Sequence, residues 1–300
     1  MDSVLTLQDL GDQRPAGTAL AVLGHPIKHS ISPAMHTAAL TQMARSEPRF
    51  ADWTYRRFDV PPEELPAALI TLHALGFRGL NLTVPHKIIA FDCVHSVDPA
   101  ARPIGAVNTL LWTPEGWHGY NTDGYGLATA VAEELGRPLA GARILLLGAG
   151  GAARGAAVEC LQQRCAELWI ANRSADNLRQ LLALVAPLAH GIPVHGFNPQ
   201  HPPTDLPDDL LIINATSAGL RPEDPLPLDL AGVRHPAGVY DMIYNPPQTR
   251  LLEAATAQGV PNANGLSMLV HQGARALTIW SGVSVPVDAM RTAARRALGL

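Results

Sequence analysis

Arg143–Gly155 reads RILLLGAGGAARG, and this stretch sets the fold. Four apolar residues, Ile144–Leu147, run directly into glycine. A short apolar run closed by a turn signal predicts a strand buried on both faces, as in a parallel sheet. Gly148, Gly150 and Gly151 follow, then the small residues Ala152, Ala153, Gly155, Ala156 and Ala157. The pattern is G-x-G-x-x-A with Ala153 in the third small position. Gly148 suits a tight turn, Gly150 a bare backbone that a pyrophosphate can approach, and Ala153 close packing of the next helix on the strand. The first N–H groups of that helix lack internal partners and attract an anion. The bland alternative is a tight turn that binds nothing.

Context favours the dinucleotide reading. The spacing predicts a helix over Ala152–Arg164 and a second strand over Leu168–Ala171, which completes a βαβ unit. An NAD site usually carries Asp or Glu at the end of that second strand, on the ribose 2′-OH. Here the residues are Asn172, Arg173 and Ser174. No carboxylate repels a 2′-phosphate, and a guanidinium is present to pair with it. The expected cofactor is therefore NADP(H) rather than NAD; the plain alternative for Arg173 is a solvated surface arginine.

The rest of the 300 residues sets limits. Hydrophobic content of 47% and charged content of 16% describe a globular chain of one large or two ordinary domains. A net charge of −4 argues against nucleic acid as the main partner. Cys93, Cys160 and Cys165 form no CxxC pair, so a reduced, cytoplasmic setting is expected. The twelve histidines show no HExxH-type spacing, and no metal site is expected. The start, MDSVLTLQDLGDQ, has no signal-peptide pattern, and no uncharged run is long enough to span a membrane. Of the 22 basic residues only Lys28 and Lys87 are lysines. An ammonium can exchange a proton where a guanidinium cannot, so a retained lysine is of chemical interest.

Residues 1–17 read as a loosely held leader. Strands are expected at Ala19–Leu23, Trp53–Val60 and Arg78–Val84, with helices at Ala34–Ala44, Pro62–Leu75 and Ile88–Val94. This βαβαβ rhythm implies a parallel sheet whose ligand crevice lies beyond the carboxyl ends of its strands. Those ends carry Ser30 and Ser32 in one loop, and Asn81, Thr83 and Lys87 in another. Ser32 is also suited to cap its helix, with Pro33 in the first turn. A hairpin is expected over Ala106–Tyr120, with Asn108 in its first arm. Asp123 opens the helix Tyr125–Leu135, where an N-cap is its simplest role. Later strands are expected at Val194–Phe197, Leu210–Asn214 and Gly238–Met242. Asn214, Thr216, Ser217, Met242 and Tyr244 then stand at strand ends, suited to lining a cofactor. The apolar helix Met268–Trp280, carrying Gln272, is expected to return to the first domain.

The motifs HSISP, NLTVPHK, GAVNT, NTDG, GAGGAARG, NRS, NATSAG, DMIYNP and MLVHQGA occur in this order from Ala19 to about Gly282. As a set they resemble the shikimate dehydrogenases. The resemblance implies a two-domain α/β fold with a deep cleft. Residues 1–123 with 265–300 would form the substrate-binding domain, and 124–264 an NADP-binding Rossmann domain. It implies NADPH-dependent reduction of 3-dehydroshikimate to shikimate, in aromatic amino-acid biosynthesis. It implies Lys87 and Asp123 as the catalytic pair. Ser30, Ser32 and Tyr244 would bind the substrate carboxylate, and Asn81, Thr83, Asn108 and Gln272 the ring hydroxyls. Gly148, Ala149, Gly150, Gly151, Ala152 and Ala153 would form the phosphate turn, Asn172, Arg173 and Ser174 the 2′-phosphate site, and Thr216, Met242 and Gly265 the rest of the cofactor site. The partners implied are the small-molecule substrate and cofactor, with no nucleic acid and no membrane, the chain acting as monomer or homodimer.

Two departures stand out. The family's NRTxxR motif has a second basic residue where this chain has Asn177, which weakens the case for exclusive NADP use. The glycine expected before MLV is Ser267. A quinate/shikimate dehydrogenase using NAD or both cofactors is the runner-up, and a non-catalytic dinucleotide-binding regulator the reading from another class.

Overall fold

A computed structural model describes residues 4–10 and 14–300. The chain divides into two compact units, 1–122 with 272–300, and 123–271. The first opens with β1 (Val4–Leu5), β2 (Ala19–Gly24), α1 (Ser32–Ser46), β3 (Thr54–Asp59), α2 (Leu65–Ala74) and β4 (Gly79–Leu82). It continues with α3 (His86–Cys93), β5 (Ser96–Val97), β6 (Thr109–Thr113) and β7 (Gly116–Tyr120). The second contains α4 (Asp123–Leu135), β8 (Arg143–Leu147), α5 (Gly151–Gln162), β9 (Glu167–Ala171) and α6 (Ala175–Val185). Then come β10 (Val194–Phe197), β11 (Leu210–Asn214), β12 (Gly238–Asp241), α7 (Arg250–Ala257) and β13 (Asn262–Asn264). The boundary falls inside α8 (Leu266–Ser281), and α9 (Val287–Ala297) ends the chain.

The first unit holds a seven-stranded sheet of order β1-β3-β2-β4-β6-β7-β5. The expected βαβαβ arrangement is present in β2, β3 and β4, which are parallel. The sheet as a whole is mixed, not parallel, because β6 runs antiparallel to both β4 and β7. A turn at Pro114–Glu115 is too short for a crossover, so the hairpin must reverse direction. The leader expectation needs correction where the chain is described. Val4 and Leu5 pair with Arg57 and Phe58, and Leu5, Leu7 and Leu10 pack against the core built on Phe58, Leu65, Leu72 and Phe77. Apolar residues at 5, 7 and 10 bury themselves on that core. Residues 1–3 and 11–13 of the predicted leader lie outside the described residues.

The second unit holds a six-stranded parallel sheet of order β10-β9-β8-β11-β12-β13. Numbered from β8, this is 3-2-1-4-5-6, the doubly wound dinucleotide-binding order. Ile144 to Leu147 are at most 1% exposed, as expected for a strand covered on both faces. The reversal of strand order lies between β8 and β11, where such folds take ligands. β13 went unread in the sequence, because NAN lacks the β-branched and aromatic residues that mark strands.

No helix of the described residues is long and apolar enough to cross a membrane.

Candidate active site and cofactor turn

In the first unit, the expected site residues come from one edge of the sheet. β2 and β4 end there, β6 begins there because it is antiparallel, and β7 ends there. Ser30 and Ser32 follow β2, Asn81 lies in β4, Thr83 follows it, and Lys87 is in the first turn of α3. Asn108 immediately precedes β6, and Thr122 follows β7.

Backbone contacts hold these positions. His86 N–H donates to the Thr83 carbonyl at 2.8 Å, and Val107 N–H to the Lys87 carbonyl at 2.9 Å. The serine loop is gripped from β3, where Arg57 Nη1 donates to the carbonyls of Lys28 and Ser30 at 2.9 and 3.2 Å. Ser32 is not the N-cap expected of it. It is the first residue of α1, Ile31 occupies the cap, and Ser30 Oγ accepts from Ser32 N–H at 3.4 Å. Pro33 already occupies the first turn, so the helix begins one residue earlier.

A buried polar network joins the edge. Tyr55 O–H donates to Asn81 Oδ1 at 2.7 Å. Asn81 Nδ2 donates to the Asn108 carbonyl and to Thr109 Oγ1, at 3.2 and 3.1 Å. Asn108 Oδ1 accepts from Thr122 N–H at 2.8 Å, and Asn108 Nδ2 donates to Gln272 Oε1 at 3.5 Å. Four of the sequence-predicted or adjoining polar residues, Asn81, Asn108, Thr122 and Gln272, are thus brought into one region of the first unit. Asp123 is the residue after Thr122 and opens α4 in its first turn.

His36 lies beneath this network and is fully buried. Its ring stacks on Tyr55 at 4.0 Å, and Nδ1–H donates to the Ser32 carbonyl at 2.9 Å. Burial lowers its pKa from 6.5 to about 4. On acidification the unfolded chain therefore takes up this proton first. The stability that neutral His36 contributes is fully present above about pH 6.5 and is lost as the pH falls towards 4. The loss amounts to about 3 kcal/mol across that window. Urea midpoints measured between pH 7 and pH 4.5 should fall more steeply for the wild type than for His36→Gln. Parallel slopes would refute the assignment.

In the second unit, the glycine turn is where the sequence places it. Gly148 has φ +113°, the left-handed region, and a side chain there would press on Thr216 and Ala215. The turns after β8 and β11 are therefore neighbours. Gly150 caps α5 with no side-chain hydrogen bond, and a Cβ built on Gly150 or Gly151 meets nothing within 4 Å. Open space above uncapped amides is what a pyrophosphate requires.

The ends of β11 and β12 are tied together. Thr216 N–H and Oγ1–H donate to Asn214 Oδ1 at 3.0 and 2.7 Å, and Asn214 Nδ2 donates to Asp241 Oδ1 at 3.0 Å. Thr249 Oγ1–H completes the network on Asp241 Oδ2 at 2.7 Å. Burial pushes the Asp241 carboxyl up, against the pull of these donors. Gly265 N–H donates to the Ile243 carbonyl, and a Cβ at Gly265 would lie 2.1 Å from the Met242 carbonyl oxygen. Met242 and Gly265 are thus in backbone contact, and only glycine fits. Burial also raises the Tyr244 hydroxyl.

After β9, Asn172 Nδ2 donates to the Ser174 carbonyl at 2.8 Å. Ser174 caps α6 by accepting from Asn177 N–H at 3.3 Å. Arg173 is exposed between them. Ser267 has a definite role: its hydroxyl donates to Glu134 of α4, while His271 contacts Glu133 at 2.6 Å. These two contacts hold α8 on α4, which a glycine at 267 would weaken. Sequence reasoning passed over Tyr55, Arg57 and His36. Tyr55 and Arg57 alternate on one face of β3, a visible period-2 signal, but what that face meets is not readable from the strand.

A doubly wound sheet with an open glycine turn, in one chain with a mixed α/β unit that has a polar strand-end edge, defines a dinucleotide-linked oxidoreductase class. Comparison with known proteins narrows this. The family model described as the shikimate dehydrogenase substrate binding domain matches residues 22–110, and that of the shikimate 5'-dehydrogenase C-terminal domain matches 265–295. The shikimate dehydrogenase (NADP(+)) of Moorella thermoacetica is 41% identical over 297 residues, covering 96% of each chain. The Thermus thermophilus shikimate 5-dehydrogenase, solved with NADP(H) and shikimate, is similar with TM-score 0.80 and 36% identity, covering 93% of this chain and 99% of that one. The Listeria monocytogenes shikimate 5-dehydrogenase, solved with shikimate and NAD, is similar with TM-score 0.82 and 28% identity, covering 95% and 99%. This chain belongs to the shikimate dehydrogenase family.

Proposed function

We propose that the protein reduces 3-dehydroshikimate to shikimate, reversibly, with NADPH. The observation that carries this is the occurrence in one chain of an open glycine turn at a strand-order reversal and of the Ser30–Ser32–Asn81–Lys87–Asn108 edge. On this reading residues 1–122 with 272–300 bind substrate and 123–271 bind the dinucleotide.

The cofactor supplies hydride to the carbonyl carbon. The chain's own residues do the rest. Lys87 gives a proton to the carbonyl oxygen, and takes it back in the oxidative direction, with Asp123 as its carboxylate partner. Ser30, Ser32 and Tyr244 bind the substrate carboxylate through hydroxyl groups. Asn81, Thr83, Asn108 and Gln272 read the ring hydroxyls. A site built from such groups leaves them unpaired when a ligand lacks the matching hydroxyl, which gives strong discrimination.

Gly148 to Ala153 hold the pyrophosphate against the start of α5, and Thr216, Met242 and Gly265 flank the remainder of the cofactor. Arg173, with Asn172 and Ser174, takes the 2′-phosphate. The three cysteines are free, which supports a reducing, cytoplasmic setting. The chain acts as a monomer or homodimer.

The second reading, use of NAD or of both cofactors, is favoured by one observation: Asn177 stands where a second basic residue is expected. Cofactor oxidation with 3-dehydroshikimate, run with NADPH and NADH in parallel, tests both. NADPH is expected to give the higher kcat/KM. A clear NADH preference would remove the 2′-phosphate assignment, and no consumption of either would remove the reaction.

A further inference from the structure

We propose that Tyr55 is a positioning residue of the substrate site: its hydroxyl holds the Asn81 side chain in one orientation. The inference rests on the reading of Asn81 as a substrate contact. It follows from which groups can donate.

The Asn108 backbone carbonyl can only accept, and Asn81 faces it with the amide nitrogen at 3.2 Å. That orientation leaves Oδ1 facing Tyr55 at 2.7 Å. An amide oxygen also only accepts, so the phenol proton belongs to Asn81. Asn81 Nδ2 in turn donates to Thr109 Oγ1, whose proton goes to Asn108 Oδ1 at 3.0 Å. The hydrogen bonds run in one direction, from Tyr55 through Asn81 and Thr109 to Asn108.

This direction has two consequences. Both Asn81 amide protons are committed to Asn108 and Thr109, so toward a ligand Asn81 offers only the remaining lone pair of Oδ1. It accepts from a ligand hydroxyl and cannot donate to one. The Tyr55 ring is itself fixed, 4% exposed and stacked on His36, which donates to the Ser32 carbonyl at 2.9 Å. The preorganised geometry of Asn81 thus depends on one buried oxygen.

Tyr55→Phe removes that oxygen and little volume. It leaves Asn81 Oδ1 buried without its donor. The KM for shikimate is expected to rise about tenfold. kcat should stay within about threefold, and the KM for NADP should be unchanged. Combined with Asn81→Ala, the two effects on KM should be less than multiplicative, because Tyr55 acts through Asn81. An unchanged KM for shikimate, equal rises in both KM values, or strict multiplicativity in the double variant would overturn the proposal. The unchanged KM for NADP also reports that the variant is folded. An inactive wild type overturns the functional reading and this proposal with it; an active wild type with an unaffected Tyr55→Phe overturns the proposal alone.

Discussion

Lys87→Met is expected to lower turnover by about two to four orders of magnitude, the usual scale for a lost acid–base group. The substitution removes the ammonium and keeps a straight side chain of similar reach. The fold should tolerate it, because the local contact made by this residue's backbone, Val107 N–H to the Lys87 carbonyl, does not involve the side chain. Loss of the charge alone would also weaken binding of an anionic substrate, so a second variant is needed. Lys87→Arg keeps the positive charge but carries a guanidinium that does not give up its proton at working pH. If proton transfer is the role, arginine fails to restore turnover, whereas a purely electrostatic role would be largely rescued. The KM for NADPH should be unaffected in both. Turnover of Lys87→Met within tenfold of the wild type would reject the assignment.

Gly79→Ala is expected to be among the most destabilising single-methyl additions in the first unit. A Cβ there would lie 2.2 to 2.4 Å from Nε1, Cδ1 and Cε2 of Trp280. Trp280 is 1% exposed and cannot swing aside. Its Nε1–H donates to the Leu110 carbonyl at 2.9 Å, and its own carbonyl accepts from Arg78 Nε at 3.4 Å. The methyl must displace the indole and break the bond to Leu110, or push β4 away from the end of α8. Overpacking of a filled core costs about 1–3 kcal/mol, and the lost bond to a buried carbonyl adds about 1 kcal/mol or more. The melting temperature should fall on the order of 10 °C. Trp280→Ala removes the ring that the new methyl meets. Gly79→Ala in a Trp280→Ala background should therefore cost less than in the wild type. Equal costs in the two backgrounds would show that the clash is not with the indole.

The doubly wound unit was legible because its signals are local. An apolar run of Ile144–Leu147, three glycines at fixed offsets and Leu168–Ala171 at the right distance are enough to announce a βαβ dinucleotide unit, and the strand order 3-2-1-4-5-6 agrees. The substrate unit was less legible. The sequence predicts its first parallel strands, but not that β6 inserts antiparallel beside β4. That insertion is what brings Asn108 to the same edge as Asn81. The leader was misread for the same reason: VL and LQDL are too short to announce a strand by periodicity, and they become ordered only because β3 and an apolar core receive them. Ser32 was read as a cap because serine before proline usually is one; its neighbour Ile31 takes that place once the loop is gripped by Arg57.

What the sequence alone determined is the family, the cofactor turn and the chemical types at each strand end, since these depend on residues close together along the chain. What only the tertiary structure decided is direction: which atom donates, which accepts, and which buried residue holds them so. Tyr55, His36 and Arg57 carry that information. Their partners lie on other elements, His36 for Tyr55 on α1, and Asn81 on β4. A hydrogen bond's polarity is set by the last group in the chain that can only accept, and here that group is a backbone carbonyl 53 residues beyond Tyr55.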